Sequence, residues 1–267
     1  MSTSLYDITI GQQTELTRIL AGAGLDADMV KRIIRNPDLA KKMIGEIRQT
    51  IPTNTDLFAS AEDILTRFRE RAELRGWPIT AKPGGHLARN MPRFPTDSLA
   101  ALCLKIWLGS AEKTAEELWA WVVDSHPNSW QYGGLKFDPE YFELLDPSRY
   151  GDEPSVEWEV IDLGAYWEPE SGRTVLEVRE QAAARSDVLA DFEVLTVAAL
   201  HPNYIQAQDG ESVPYLDVAG VKTTLPGGEP CAPYISWNQY RRGVGLLMST
   251  VDYRNDEWAA PVILQGS

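Results

Sequence analysis

Serine, lysine, histidine, cysteine and paired acids are the side chains through which this chain could do chemistry. Ser110-Ala111-Glu112-Lys113 has the S-x-x-K spacing, in which one helical turn sets a lysine amine beside a serine hydroxyl. Two partner fragments exist, Lys222-Thr223-Thr224 and Ser236-Trp237-Asn238, but in reversed order and without the glycine of K-T-G. Ser110 as the N-cap of a helix accounts for the same residues. A hydrolytic triad needs a histidine near a nucleophile and an acid. His86 lies in a Pro-Gly-Gly turn, and His126 and His201 each precede a proline at a helix end, where an imidazole bonds free carbonyls. Cys103 and Cys231 are far apart in sequence and neither has a histidine neighbour, so no zinc set is expected. The acidic loops at Asp209-Gly210-Glu211 and Asp252 to Glu257 lack the full calcium spacing. Arg241-Arg242-Gly243-Val244-Gly245 lacks the third glycine and helix of a dinucleotide loop and reads as a hairpin joint. No metal or cofactor is expected.

Glu157, Glu159 and Asp162 form the one acidic set with catalytic promise. On a strand Glu157 and Glu159 project from one face and Trp158 from the other. Two facing carboxylates flanked by tryptophan are the ingredients of glycoside hydrolysis. A solvent-facing strand with a buried Trp158 fits the same residues. The richest recognition chemistry comes late in the chain, in Trp237, Asn238, Tyr240, Arg241, Arg242, Tyr253, Arg254, Asn255, Asp256 and Trp258. Aromatic, Arg and Asn side chains on loops between strands are the composition of a binding surface.

The elements that must position these residues change character near Trp77. All nine tryptophans lie at or beyond it. Residues 1–100 carry 14 Lys and Arg against 12 Asp and Glu, and residues 101–267 carry 11 against 27. The reading is a helical unit over 1–76, a Pro/Gly-rich linker over 77–97 and an α+β domain over 98–267. In the first part, three short helices are expected before Ile51, then a connector at Ile51–Thr55. A fourth helix opens at Ser60 and Asp63 and ends at Gly76, with Ile64, Leu65, Phe68 and Ala72 inward and Arg67, Arg69, Arg71 and Arg75 outward. In the second part, strands are expected at Leu99–Leu108, Val156–Leu163, Val213–Val221, Tyr234–Trp237, Val244–Val251 and Ala259–Leu264. Helices are expected from Ser110 to about Val123 and from Ser186 to about Leu200.

The net charge of −14 argues against nucleic-acid partners, whose affinity comes from Lys and Arg on phosphates. The N-terminal MSTSLYDITIGQQTEL has neither the basic nor the apolar region of a signal peptide, and no apolar run approaches a membrane span. With only two cysteines, the expected setting is the cytoplasm, with no membrane contact.

Leu25–Ile47, Leu108–Val123 and Val156–Trp167 resemble uncharacterised proteins of candidate-phylum metagenomic bacteria, which implies no activity. From Ser186 to Leu264, a helix ending Leu200-His201-Pro202-Asn203 leads to Pro214-Tyr215-Leu216 and then to Trp-rich closing strands. This region resembles the C-type-lectin-like fold of formylglycine-generating-enzyme relatives and diversity-generating variable proteins. The resemblance implies ligand binding by closing loops, here at Asn238, Tyr240, Ser249, Asp252, Tyr253, Asn255 and Asp256. The chain lacks the G-G-S-W and terminal G-F-R signatures and the paired cysteines, so no oxidase chemistry carries over. The sequence therefore reads as a non-catalytic binding protein for a protein or small polar ligand, with an acid-based hydrolase as the alternative.

Overall fold

The computed structural model describes residues 57–78, 99–225 and 227–264. The chain divides into two compact units, Met1–Pro52 and Thr53–Ser267, and all described residues belong to the second. The helices expected before Ile51, the connector after them, most of the 77–97 linker and His86 lie outside the described residues.

Helix α1, Ala61–Arg75, forms as its signals dictate: the Ser60 hydroxyl caps the Asp63 amide, and Gly76 closes the C-terminus at φ 59°. Ile64 and Phe68 are fully buried and Leu65 and Trp77 nearly so, within one core that also holds residues from Ala100 to Ile263. The helix of residues 61–75 thus belongs to the same unit as everything described after it. Arg71, expected outward, is 4% exposed instead. Its Nη1 pairs with Asp124, because α1 lies along a neighbouring helix whose last turn supplies that acid.

Strand β1, Ala100–Trp107, leads to α2, Ala111–Ser125, with Ser110 as N-cap, its hydroxyl oxygen accepting from the Lys113 amide. Short strands β2, Trp130–Gln131, and β3, Phe142–Leu144, and a 3-10 turn at Pro147–Arg149 precede β4, Ser155–Asp162. Helix α3, Val175–Arg185, follows. It opens on a full capping box between Thr174 and Glu177 and closes at Ser186 in the left-handed region, φ 60°. The helix expected to begin at Ser186 therefore begins later. Val188–Leu189 form strand β5, and α4 runs Phe192–Leu200 from an Asp191 cap.

All nine residues of α4 are buried. A helix buried on every side belongs at the centre of a fold, and α4 packs against α2 and β1 there. Helix α5, Pro202–Ala207, then leads to β6, Tyr215–Asp217, and β7, Val221–Thr224. These two replace the single strand expected over Val213–Val221. Between them Val221 N–H bonds the Val218 carbonyl in a turn, where a Cβ on Gly220 would lie 2.7 Å from the Ala190 carbonyl oxygen, an approach only glycine permits. A long hairpin of β8, Pro230–Asn238, and β9, Gly243–Thr250, precedes β10, Trp258–Ala259, and β11, Val262–Ile263.

The strands make two sheets, so the fold is α+β. One sheet has the order β1-β4-β11-β5. The other has β10-β6-β8-β7-β3, with β9 pairing β8 and β2 pairing β9. Among the described residues no helix is long and apolar enough to cross a membrane.

Candidate binding face

The register of the second sheet sorts its side chains into alternating rows. Ala259, Leu216, Ile235, Leu246 and Gln131 are successive partners across β10, β6, β8, β9 and β2. The first four are at most 1% exposed and form the inner row. The flanking rows therefore point the other way. One contains Trp258 with Tyr215, and Ser236 with Gly245 and Trp130. The next contains Asp217, Tyr234 and Leu247. Helix α3 covers one end of this outer face, where Val175 and Val178 pack with Ala232 and Val251. Beyond that cover Trp130, Tyr215, Tyr234, Leu247 and Trp258 are only half-buried. Tyr132 and Tyr253 are exposed at 46% and 55%.

Gly245 makes this surface flat at its β2 side. A Cβ there would sit 2.6 Å from the Trp130 ring, so the indole lies directly over the β9 backbone. The Arg241 guanidinium stacks on that indole 4.8 Å from its centre. At the other side Trp258 stacks on Tyr234 with centroids 4.2 Å apart, and Tyr253 lies 5.9 Å from Trp258.

The ten residues singled out in the sequence fall at the two ends of β9. Trp237, Asn238, Tyr240, Arg241 and Arg242 form the β8–β9 hairpin tip. There Tyr240 is 99% exposed, and Asn238 caps the Arg241 amide. Trp237 turns inward against His126 instead, at 5.8 Å. Tyr253, Arg254, Asn255, Asp256 and Trp258 lie beyond the far end of β9. Arg254 is engaged by Glu177 and the Gly172 carbonyl, and Asn255 forms a bridge with Arg173. The Asp256 backbone oxygen accepts from the Trp167 indole. Trp130, Tyr132, Tyr215, Tyr234 and Leu247 were missed. The signal for three of them was alternation: Tyr215, Tyr234 and Leu247 each sit beside a residue of the inner row, Leu216, Ile235 and Leu246.

The acidic set resolves differently. Glu157 pairs with Lys105 at 2.6 Å, and Asp162 accepts from the Gly164 amide at 3.0 Å. Glu159 joins a buried cluster around Arg149. The Arg149 Nη2 donates to Glu159 at 3.0 and 3.1 Å and to Glu193 at 2.6 Å, and Nη1 to Asp191 at 3.0 Å. Tyr150 donates its hydroxyl to Asp191. Burial, with Glu193 adding to it, pushes the Glu159 carboxyl up to about 8, and the same two causes raise Asp191 well above the usual carboxylate range. Glu193, held by Arg149, stays below it. Three carboxyls on one guanidinium leave no gap between them for a substrate. They clamp the 3-10 turn and β4 to the start of α4.

Among the described residues the two histidines, His126 and His201, are structural partners. His126 Nε2 lies 3.0 Å from the Ala198 carbonyl. His201 accepts from the Ala59 amide at 3.0 Å and donates to the Leu102 carbonyl at 2.8 Å, and burial drives its pKa down to about 4. Both cysteines are buried free thiols. Among the described residues no group of three His, Cys, Asp or Glu is placed to hold a metal ion. Cavities of about 270 and 510 Å³ flank Arg179 of α3 and include none of the outer-face aromatics. Comparison with protein-family models, with curated proteins and with solved structures finds no match.

Proposed function

We propose that this chain is a non-catalytic binding protein that docks a partner protein on the outer face of the β10-β6-β8-β9-β2 sheet, with the β8–β9 tip as an anchor. The observation that carries the reading is the pair of outward rows. Trp258, Tyr215, Trp130, Tyr234 and Leu247 stay half-exposed in a sheet whose intervening row is fully packed. Five strands span about 20 Å, the width of an interface patch rather than of a small-molecule cleft. A protein partner also suits Tyr240. A ring with 99% of its surface in solvent cannot wall a pocket, but it can fill one on a partner. Aromatic and arginine side chains are those that dominate interface energetics. The hydrolase alternative has less to support it, since Glu157, Glu159 and Asp162 each answer to a different partner.

Capture of partners from cells, by wild type and by a Tyr132→Ala/Tyr240→Ala/Leu247→Ser variant, tests this. All three side chains are half or fully exposed, so the variant is expected to keep its circular dichroism and melting temperature. Proteins retained by wild type should be lost from the variant. An unchanged set from a folded variant would sink the docking face.

A further inference from the structure

The corner of the outer face at β10 differs chemically from the rest of it. Tyr234 and Trp258 stack, Tyr253 stands 5.9 Å from Trp258, and Tyr215 is Trp258's neighbour in the ladder. Among the described residues none hydrogen-bonds the Tyr215, Tyr234 or Tyr253 hydroxyls. Asp217 is the ladder partner of Tyr234, so its side chain shares their face. It is 6% exposed, and its Oδ1 is buried with no donor. The exposed charges that act on these rings are negative, Glu257 on Tyr234 and Glu257 with Asp209 on Tyr215, while burial pushes the Asp217 carboxyl up to about 8. Arg254, the nearest cation in sequence, is turned away onto Glu177 and the Gly172 carbonyl. Arg179 acts on Asp217 but spends its Nε and Nη2 on the Ala219 and Val221 carbonyls.

Electron-rich ring faces beside an exposed carboxylate, with an unmet buried acceptor in the same face, make a setting for a cation. We propose that Tyr215, Tyr234, Tyr253 and Trp258, with Glu257 and Asp217, form a subsite for a basic side chain, lysine or arginine, of the partner protein. This rests on the reading of the outer face as a docking surface and names what the partner presents at one corner of it. The ammonium or guanidinium lies against the Trp258 and Tyr253 rings, with Glu257 neutralising its charge. A protein partner, rather than a free amine, follows from the continuity of this corner with the aromatic rows that run on to Trp130.

The test titrates the full chain with hexalysine, and separately with hexaglutamate, following the Trp258 indole N–H by NMR. That signal is assigned by its loss in Trp258→Phe. Hexalysine should move the Trp258 signal and hexaglutamate should not. Tyr253→Ala and Glu257→Gln, both at exposed positions, should each weaken hexalysine binding about fivefold, the scale of one cation–π contact or one partly exposed charge. A Glu140→Gln/Glu143→Gln variant, which lowers the net negative charge elsewhere, should bind within twofold of wild type. The proposal is overturned if hexalysine shifts other signals but not Trp258, or if Tyr253→Ala binds it unchanged. Tyr132→Ala/Leu247→Ser separates the two readings. If that variant keeps both its cellular partners and the Trp258 response, the docking face fails and the cation corner stands. If Trp258 is silent while the partners are lost, the corner fails and the face stands.

Discussion

His201 holds together segments that are far apart in the chain. Its Nδ1 accepts from the Ala59 amide just before α1, and its Nε2 donates to Leu102 in the middle of β1. Both bonds require one neutral tautomer, and burial enforces it by drawing the imidazole's pKa down to about 4. His201→Ala would strand a buried amide and a buried carbonyl at once. An unmet buried group costs about 1–3 kcal/mol, so the variant should lose about 2–5 kcal/mol by chemical denaturation. His201→Ala as stable as wild type would show that neither bond matters. The sign with pH is also fixed. A histidine whose folded pKa lies below its unfolded value of about 6.5 contributes fully above 6.5. That contribution is lost as pH falls toward 4. The sequence places His126 and His201 at helix ends, where an imidazole bonds free carbonyls; His126 bonds Ala198 in the last turn of α4, and His201 bonds Leu102 of β1 instead. What the sequence could not supply was the second bond of His201, because Ala59 and Leu102 become neighbours only through the fold.

Among the elements, the Arg149 cluster behaves as a joint with a proton inside it. The 3-10 turn, β4 and the first turn of α4 bring one guanidinium and three carboxyls together, and one positive charge cannot balance three negative ones in a buried site. The excess is relieved by protonation, which is why burial and Glu193 raise the Glu159 carboxyl to about 8. A carboxyl whose folded pKa is raised gives its full stabilisation below the unfolded value of about 4.3, and loses it as pH climbs through 8. The chain should therefore lose on the order of 2 kcal/mol between pH 6 and 9 as this cluster gives up its proton, measured by urea midpoints. Glu159→Gln keeps the neutral shape and should reduce that loss, with Asp191 and Asp217 supplying what remains. An equal alkaline slope in the variant would remove Glu159 as the titrating group. Arg149→Met leaves three carboxyls without their cation and should cost about 3–5 kcal/mol at pH 7.

Elements with strong local signals were readable from sequence for physical reasons. The caps at Ser60, Gly76 and Ser110 act within four residues of themselves, and α1, β1 and α2 appear where those signals place them. Ser186 misled because serine suits an N-cap and yet here takes the left-handed C-cap of α3. The Thr174-x-x-Glu177 box was present in the sequence and was the better start signal. The candidate face was half-visible. Aromatic density flagged Trp258, Tyr253 and Tyr240, but only cross-strand register could join Trp130 to Trp258, since 128 residues separate them.

At the scale of the whole unit, the compositional break at Trp77 and the packing of the chain do not coincide. Trp77 meets Trp121 edge-on at 5.8 Å, and its indole donates to Glu117 at 3.0 Å. Arg75 grips the same carboxylate with two bonds of 2.8 Å. Ile64, Leu65, Phe68 and Trp77 each lie at most 8% exposed in the shared core. Burial of a large apolar side chain is worth about 2 kcal/mol, so these four contribute about 8 kcal/mol. That is of the order of a domain's entire net stability, about 5–15 kcal/mol. A chain of residues 53–267 should therefore unfold in one cooperative transition. A chain of residues 98–267 should be unfolded, or should bind a hydrophobic dye strongly through the apolar surface that Ile64, Leu65, Phe68 and Trp77 cover. Calorimetry with dye binding on the two chains distinguishes the cases. A native-like transition from 98–267 would mean that α1 merely rests on the fold. Loss of that transition would place α1 inside the cooperative unit, making it a wall of the same core that holds Leu216, Ile235 and Leu246 of the second sheet.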